Sequence, residues 1–314
     1  MKHFTTESMH EIITILRSEL AHVHAHDIFT FVVIDPDCCC STYAGSIITY
    51  NDLSYIYRGY KAWTDLAQLL YCRMLTPLKH SEHTVTIRFQ RLDTQDSFHT
   101  MHVDDITEKY GVNSPFSKIN KNEEPAFVYA YAQALHAVNI SKRRHVLNLG
   151  INSGDEFELI QQLSPNFFNT HFTGIDYSYS AIANAGKRFQ STNVTMIQHN
   201  INHLETLNLG RFDLIISIGT LQSSGVNFKP LLMTLVQQYL TTEGALILGF
   251  PNSRWIDGEM IYGAKAPNYN YSEMSLVIKD IYFCKKYLQQ HRFRVTVTGK
   301  EYLFITATRI VKKS

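Results

Sequence analysis

The chain has no apolar run approaching the ~18 residues that a membrane span requires, and residues Met1 to Ser8 lack the apolar core of a signal peptide. Both absences predict a soluble, cytoplasmic protein with no membrane partner. An excess of either charge is also missing: 29 Lys and Arg stand against 28 Asp and Glu, for a net charge of +1. No global field therefore advertises a nucleic acid or an anionic surface. Cysteine is scarce and odd in number, five in all, at 38, 39, 40, 72 and 284. Three adjacent cysteines make a poor disulfide framework, so reduced thiols are expected. Nothing repeats at a fixed period, and there is no low-complexity tract. What remains is a chain of 314 residues, 45% apolar, long enough for two domains or for one α/β domain with a substantial extension.

The first third reads as a small α+β unit. Ser8 and Glu11 are spaced as a capping box, and Ile12, Ile13, Leu16 and Leu20 follow at helical period, predicting a helix over about 9–21. Residues 28–34 are β-rich and apolar on both faces, 46–50 form a second strand, and Val85, Ile87 and Phe89 alternate with polar residues in a third. Trp63, Leu66, Leu70 and Met74 share a helical face, with Pro77 just beyond the expected helix end. His22, His24 and His26, like Cys38 to Cys40, lack the spacing that closes a tetrahedral site, so no metal is assigned. A loop-like stretch between Lys109 and Asn122 marks the boundary, giving an N-terminal unit at 1–112 and a second domain at 113–314. Pro125 then opens a helix with a stripe of alanines at 126, 130, 134 and 137.

From Arg144 onward strands alternate with helices, which implies a parallel sheet with right-handed crossovers. The organising stretch is residues 145–160. Val146, Leu147 and Leu149 form a short buried-strand run, Gly150 to Gly154 a tight loop, and a helix starts near Asp155. The next strand ends on Asp176, 22 residues past Gly154, where a carboxylate is placed to accept the two hydroxyls of a ribose. The loop reads Asn148-x-Gly150-x-Asn152-x-Gly154 and lacks the G-x-G-x-x-G spacing of a dinucleotide fingerprint. Further strands are expected at 194–197, 212–217 and 245–250, with a helix from Leu231 to Leu240 between the last two and another near 272–290. Residues 293–297 and 302–306 then form a closing hairpin.

These features resemble the class I S-adenosylmethionine-dependent methyltransferases, whose E/D-x-G-x-G-x-G loop is matched with Asn148 in place of the acid and Asn152 in place of the middle glycine. Asn tolerates a left-handed backbone, so the turn is expected to survive the second change. The resemblance spans about 115–310 and implies a doubly wound, mostly parallel seven-stranded α/β sheet with a terminal antiparallel hairpin. It also implies S-adenosylmethionine as cofactor, with S-adenosylhomocysteine as product. Carried over by position, the cofactor residues are Asn148, Gly150, Ile151, Asn152, Gly154, Asp176, Tyr177, Asn200, Ile201, Ser217, Ile218 and Gly219, with Phe116, Ser117 and Lys118 as further candidates before the first strand. The family's Asn/Asp-Pro-Pro-Tyr motif is absent, since Ser217 to Thr220 stands there, and so are the paired cysteines of cytosine-C5 enzymes. No catalytic base is assigned.

The polar, aromatic segment 251–271 is longer than an ordinary strand-to-helix connection, as functional loops often are. Arg254, Trp255, Glu259, Tyr262 and Tyr269 are its candidate substrate contacts, and the competing reading is an ordered segment or an interface with the N-terminal unit. The leading function is methyl transfer to an oxygen or nitrogen of a small molecule or side chain. The alternatives are an RNA methyltransferase docking through its N-terminal unit, with Lys142 to Arg144 and Lys285–Lys286 as basic clusters, and a non-catalytic methyltransferase-like binding protein. A homodimer is the assembly left open.

Overall fold

Ser8 and Glu11 cap the first helix reciprocally. Glu11 N–H donates to Ser8 Oγ at 3.3 Å, and Ser8 N–H donates to Glu11 Oε2 at 2.7 Å. The structure is a computed structural model that describes every residue except 39–42, 98–107, 109–110, 113, 115–116, 118, 224, 262, 264–273 and 311–314. By internal contacts the chain divides into two units, one of residues 1–100 with 255–261, the other of 101–254 with 262–314. The expected boundary near 112 thus falls some residues later than this division, and a short segment distant in sequence joins the first unit.

The first unit contains β1 (Lys2–His3), α1 (Met9–Leu20), β2 (Ile28–Ile34), β3 (Ile47–Tyr50), β4 (Leu53–Ile56), α2 (Tyr60–Leu69), β5 (Cys72–Lys79) and β6 (Thr84–Arg91). Its main sheet has the order β1-β2-β6-β5, so β2 is interior, as its two-sided apolar pattern predicts. Ile12, Leu16 and Leu20 of α1 and Trp63 and Leu66 of α2 pack on Phe31, Val33, Ile87 and Phe89. Replacing Ser8 with Ala removes one member of the cap and is expected to lower stability by about 1 kcal/mol, read from the urea midpoint at unchanged slope.

One expectation for this unit is corrected. The helix carrying Trp63 ends at Leu69, Tyr71 adopts a left-handed backbone with φ of 59°, and Met74 and Pro77 belong to strand β5. The proline is accommodated because β5 is an edge strand and its pairing with β6 shifts register between Leu75 and Leu78; no ladder donor is needed there. The 46–50 strand is joined by an unanticipated partner, β4, through a two-residue turn in which Asn51 and Asp52 both have positive φ. His22, His24 and His26 are exposed and lie outside helix and strand. Cys39 and Cys40 lie outside the described residues.

The second unit contains α3 (Pro125–Ala137), β7 (His145–Leu149), α4 (Asp155–Leu163), β8 (His171–Asp176), α5 (Tyr179–Arg188), β9 (Val194–Gln198), β10 (Phe212–Ile218), α6 (Phe228–Thr234) and β11 (Leu240–Pro251). After the short strands β12 (Arg254–Ile256) and β13 (Glu259–Ile261) come α7 (Ser275–Gln290), β14 (Phe293–Gly299) and β15 (Tyr302–Arg309). The seven-stranded sheet runs β14-β15-β11-β10-β7-β8-β9. β9, β8, β7, β10 and β11 are mutually parallel, and β15 enters antiparallel to β11 with β14 antiparallel outside it. This is the expected doubly wound α/β sheet with its terminal hairpin. The helix expected over 231–240 begins at Phe228 and continues past Thr234 as a π turn at Leu235–Tyr239, and β11 begins five residues before Ala245.

Residues alternate between two cores along β7. Leu147 and Leu149 face Leu235, Leu248 and Leu288 on one side, while Val146 faces Phe127 and Tyr131 of α3 and Phe157 of α4 on the other. Asn148 is in phase with Val146 and therefore points to the α3/α4 side. No helix among the described residues is long and apolar enough to cross a membrane.

Candidate functional site

The carboxyl ends of β7, β8 and β10 lie level, because Asn148 pairs with Gly174 on one side and with Ile216 on the other. In an open parallel sheet this edge is where ligands bind. After β7 the chain turns sharply: Gly150 has φ of 75°, Asn152 of 47° and Gly154 of 92°. The asparagine in place of a glycine therefore does adopt the left-handed conformation it was expected to tolerate. The N–H groups of Gly150 and Ile151 donate to Ile175 O at 2.7 and 3.2 Å, tying the loop to the end of β8.

Asp176 faces this loop. Its Oδ2 accepts the Asn152 N–H at 2.8 Å and its Oδ1 the Ser178 N–H at 3.0 Å. Each carboxylate oxygen has a further lone pair for a ligand hydroxyl. Burial pushes the Asp176 carboxyl above its ordinary pKa of 3.8, against the pull of the N–H donors at Ser178, Asn152 and Tyr177 and of the Lys121 charge. Tyr177, just outside, is 48% exposed.

The remaining candidates are positioned as follows. Asn200 caps a 3₁₀ helix by accepting the Asn202 N–H at 3.0 Å, and His199 N–H donates to Asp176 O at 2.8 Å, holding this turn beside the end of β8. Ser217 Oγ donates to Leu149 O at 3.2 Å. Gly219, φ 73°, has open space where a side chain would start. Ile151, Ile201 and Ile218 are buried core residues, so only their backbones are available to a ligand. Asn148 is fully buried, and neither Oδ1 nor Nδ2 has a hydrogen-bond partner. A buried amide with both ends orphaned is costly unless something completes it.

Two of the proposed acceptor contacts, Arg254 and Glu259, are engaged within the protein. Arg254 makes a bidentate pair with Glu124, Nε to Oε2 at 3.2 Å and Nη2 to Oε1 at 3.1 Å, and its guanidinium lies 5.0 Å from the Tyr302 ring centroid. Glu259 is buried and accepts a hydrogen bond from Ser97 Oγ. Trp255 is half-buried. Tyr262, Tyr269, Phe116 and Lys118 lie outside the described residues. Ser117 Oγ donates to Val112 O at 2.6 Å and Ser114 O at 2.7 Å.

Four residues at this edge escaped the sequence reading. Thr220 packs so closely over Gly150 that a Cβ there would lie 1.8 Å from Thr220 Oγ1. Glu108 caps the start of α5, accepting from Ser178 Oγ at 3.0 Å, Ser180 N–H at 3.3 Å and Ser180 Oγ. These bonds, the Ser180 hydroxyl foremost, lower its pKa. Lys121 Nζ meets Glu156 Oε1 at 3.0 Å in a buried ion pair. Burial raises the Glu156 pKa; on Lys121 burial acts to lower the pKa, but the charge and hydrogen bond of Glu156 together with Tyr302 and Asp155 outweigh it and hold the ammonium charged. The available signal was Asp155-Glu156 in the first turn after the glycine loop, but acids are common there.

A family model described as "Methyltransferase domain" matches residues 140–296. No curated protein matches the sequence. Among solved structures, the plantazolicin methyltransferase BpumL in complex with S-adenosylhomocysteine is 13% identical over 65% of this chain and 94% of its own, with a TM-score of 0.47. Magnesium protoporphyrin IX methyltransferase from Synechocystis PCC 6803, with bound S-adenosylmethionine, is 16% identical over 68% of this chain and 88% of its own, with a TM-score of 0.40. The 1,6-didemethyltoxoflavin-N1-methyltransferase of Burkholderia thailandensis is 16% identical over 62% of this chain and 83% of its own, with a TM-score of 0.41.

Proposed function

Because the chain belongs to the class I S-adenosylmethionine-dependent methyltransferase family, we propose that the carboxyl edge of its parallel sheet binds S-adenosylmethionine and that the protein methylates an oxygen or nitrogen of a small molecule or side chain. The observation that carries the reading is the 2.8 Å contact from Asn152 N–H to Asp176 Oδ2, which brings the glycine loop and the acid to one place. The residues fit the cofactor. Asp176 retains acceptor capacity for two ribose hydroxyls, and the orphaned Asn148 amide awaits a polar partner; Thr220 and Phe189 cover Gly150 and Gly154, while Gly219 at the end of β10 has open space beside it. Asn200 has a second carbonyl lone pair for an adenine amine.

When bound, the cofactor supplies a methyl group already activated by its sulfonium. The protein's task is then to hold the nucleophile in line, exclude water and, where the nucleophile carries a proton, remove it. No residue is assigned as that base. Acceptor recognition is proposed to involve the N-terminal unit, with Trp255 as the contact to test, because Arg254 and Glu259 are committed to Glu124 and Ser97.

Two measurements test the proposal. Titration calorimetry with S-adenosylmethionine and S-adenosylhomocysteine should show micromolar binding, and a methyl-labelled donor incubated with lysate should yield a labelled product that depends on the protein. Absence of binding by both cofactors would leave a methyltransferase fold without the activity. Trp255→Ala is expected to raise the acceptor KM several-fold with cofactor affinity unchanged; an unaltered acceptor KM removes Trp255 from the acceptor site.

A further inference from the structure

The topology of the second unit gathers three arginines at the end of the sheet opposite the candidate site. Arg211 stands just before β10, Arg292 just before β14, and Arg309 closes β15. Because β10 and β11 are parallel, β15 antiparallel to β11 and β14 antiparallel to β15, these positions meet at the amino ends of the parallel strands. All three line one cleft of about 500 Å³, a volume typical of small-molecule sites. Val236 and Gln237 of the π turn form part of its wall, and such turns recur at functional sites.

The arginines are held in place without being neutralised. Arg211 Nη1 donates to Leu240 O at 2.9 Å, Arg309 Nη1 donates to His291 O at 2.5 Å, and the Arg309 guanidinium lies 4.1 Å from the Phe293 ring centroid. Among the described residues none of the three forms an ion pair with a carboxylate. Arg309 Nε is buried with no hydrogen-bond partner. Burial pushes the Arg309 guanidinium below its ordinary pKa with no acid opposing it, whereas Asp213 and Glu243 counter the same effect at Arg143. Against the three arginines the described lining sets a single acid, the exposed Glu243.

Guanidinium groups offer planar forks of N–H donors that match the oxygens of a phosphate. The cleft is not polar throughout, since Val236, Leu240 and Ile310 also line it. A bounded cleft in a chain of net charge +1 suits a small ligand better than a polymer, which needs a line of phosphate contacts. We infer that the cleft binds a small phosphate-bearing organic molecule, its phosphate on Arg211, Arg292 and Arg309 and its apolar body against Val236, Leu240 and Ile310. The site is separate from the proposed cofactor edge and does not depend on that reading.

The probes are phenyl phosphate and inorganic phosphate, titrated calorimetrically into the full-length protein at low ionic strength. Phenyl phosphate should saturate one site and bind severalfold more tightly than inorganic phosphate, through its apolar body. Arg211→Gln and Arg292→Gln should each weaken both probes about tenfold or more, the effect of one charged hydrogen bond, and Glu243→Gln should strengthen both. Arg211 and Arg292 are exposed, so their variants report even where Arg309→Gln fails to fold. Saturating S-adenosylhomocysteine should leave phenyl phosphate binding unchanged. The inference is overturned if phenyl phosphate does not bind, if its affinity is indifferent to the arginine variants, or if S-adenosylhomocysteine displaces it. A single-stranded RNA that binds through the same arginines while phenyl phosphate does not would also overturn it.

Discussion

Asp176→Ala is expected to lower affinity for S-adenosylhomocysteine by about a hundredfold or more. Hydrogen bonds to a charged group contribute about 1.5–3 kcal/mol each, and the substitution removes the acceptor for both ribose hydroxyls under the proposed binding mode. It also removes the acceptor of the Asn152 N–H, so part of the loss comes from losing one of the ties that hold the glycine loop to the end of β8. The ribose is also present in 5′-methylthioadenosine, which carries a methyl in place of the amino-acid tail, so its binding should weaken in parallel. Equal affinity in Asp176→Ala and wild type would remove the acid from the site.

The same residue sets a pH dependence. Its folded pKa lies above the ordinary 3.8, so over the interval between those values the native state binds more protons than the unfolded chain. Stability from this group is therefore present below the unfolded value and falls as pH rises through the folded one. Binding has the opposite sign. Only the ionised carboxylate accepts two hydroxyls, so affinity should fall on acidification at a pH above that expected for an ordinary aspartate. A titration series across acidic pH, with Asp176→Asn as the control that loses the dependence, reads this directly.

Gly150→Ala is expected to lower stability by about 3 kcal/mol and to abolish cofactor binding. The backbone at φ 75° costs an L side chain about 1–2 kcal/mol. The added Cβ would also lie 1.8 Å from Thr220 Oγ1 and 2.7 Å from Thr220 Cβ, too close for a rotamer change alone to relieve, which adds about 1–3 kcal/mol of overpacking. The two terms are separable. Adding Thr220→Ala removes Oγ1 and Cγ2 but keeps Cβ, so it should recover part of the steric cost and leave the conformational part: the loss from Thr220→Ala to the double variant should be smaller than the loss from wild type to Gly150→Ala. Urea unfolding of the three variants measures this as a double-mutant cycle, and simple additivity would show that Thr220 is not what closes over the loop.

Much of the second unit was legible because its signals are local. The run Val146 to Leu149, the turn residues through Gly154 and the helix period after Asp155 each depend on near neighbours in sequence, and so does the spacing to Asp176. The same locality explains the misreadings. Leu66, Leu70 and Met74 are spaced as one helical face, and only the left-handed backbone at Tyr71 and the ladder with β6 make Met74 part of a strand. Leu235 to Tyr239 reads as an ordinary continuation of a helix, yet there the chain passes through a π turn into an early β11.

The candidate site divides along the same line. The alternation of strands and helices, the glycine turn with Asn152 left-handed, and an acid at the end of the second parallel strand are consequences of residue type and near spacing. Three other features depend on partners far along the chain: Lys121 joined to Glu156, Arg254 joined to Glu124, and residues 255–261 belonging with the first hundred. Whether a charged residue is solvated or buried against an opposite charge depends on what folding places beside it, and neither period nor propensity carries that information.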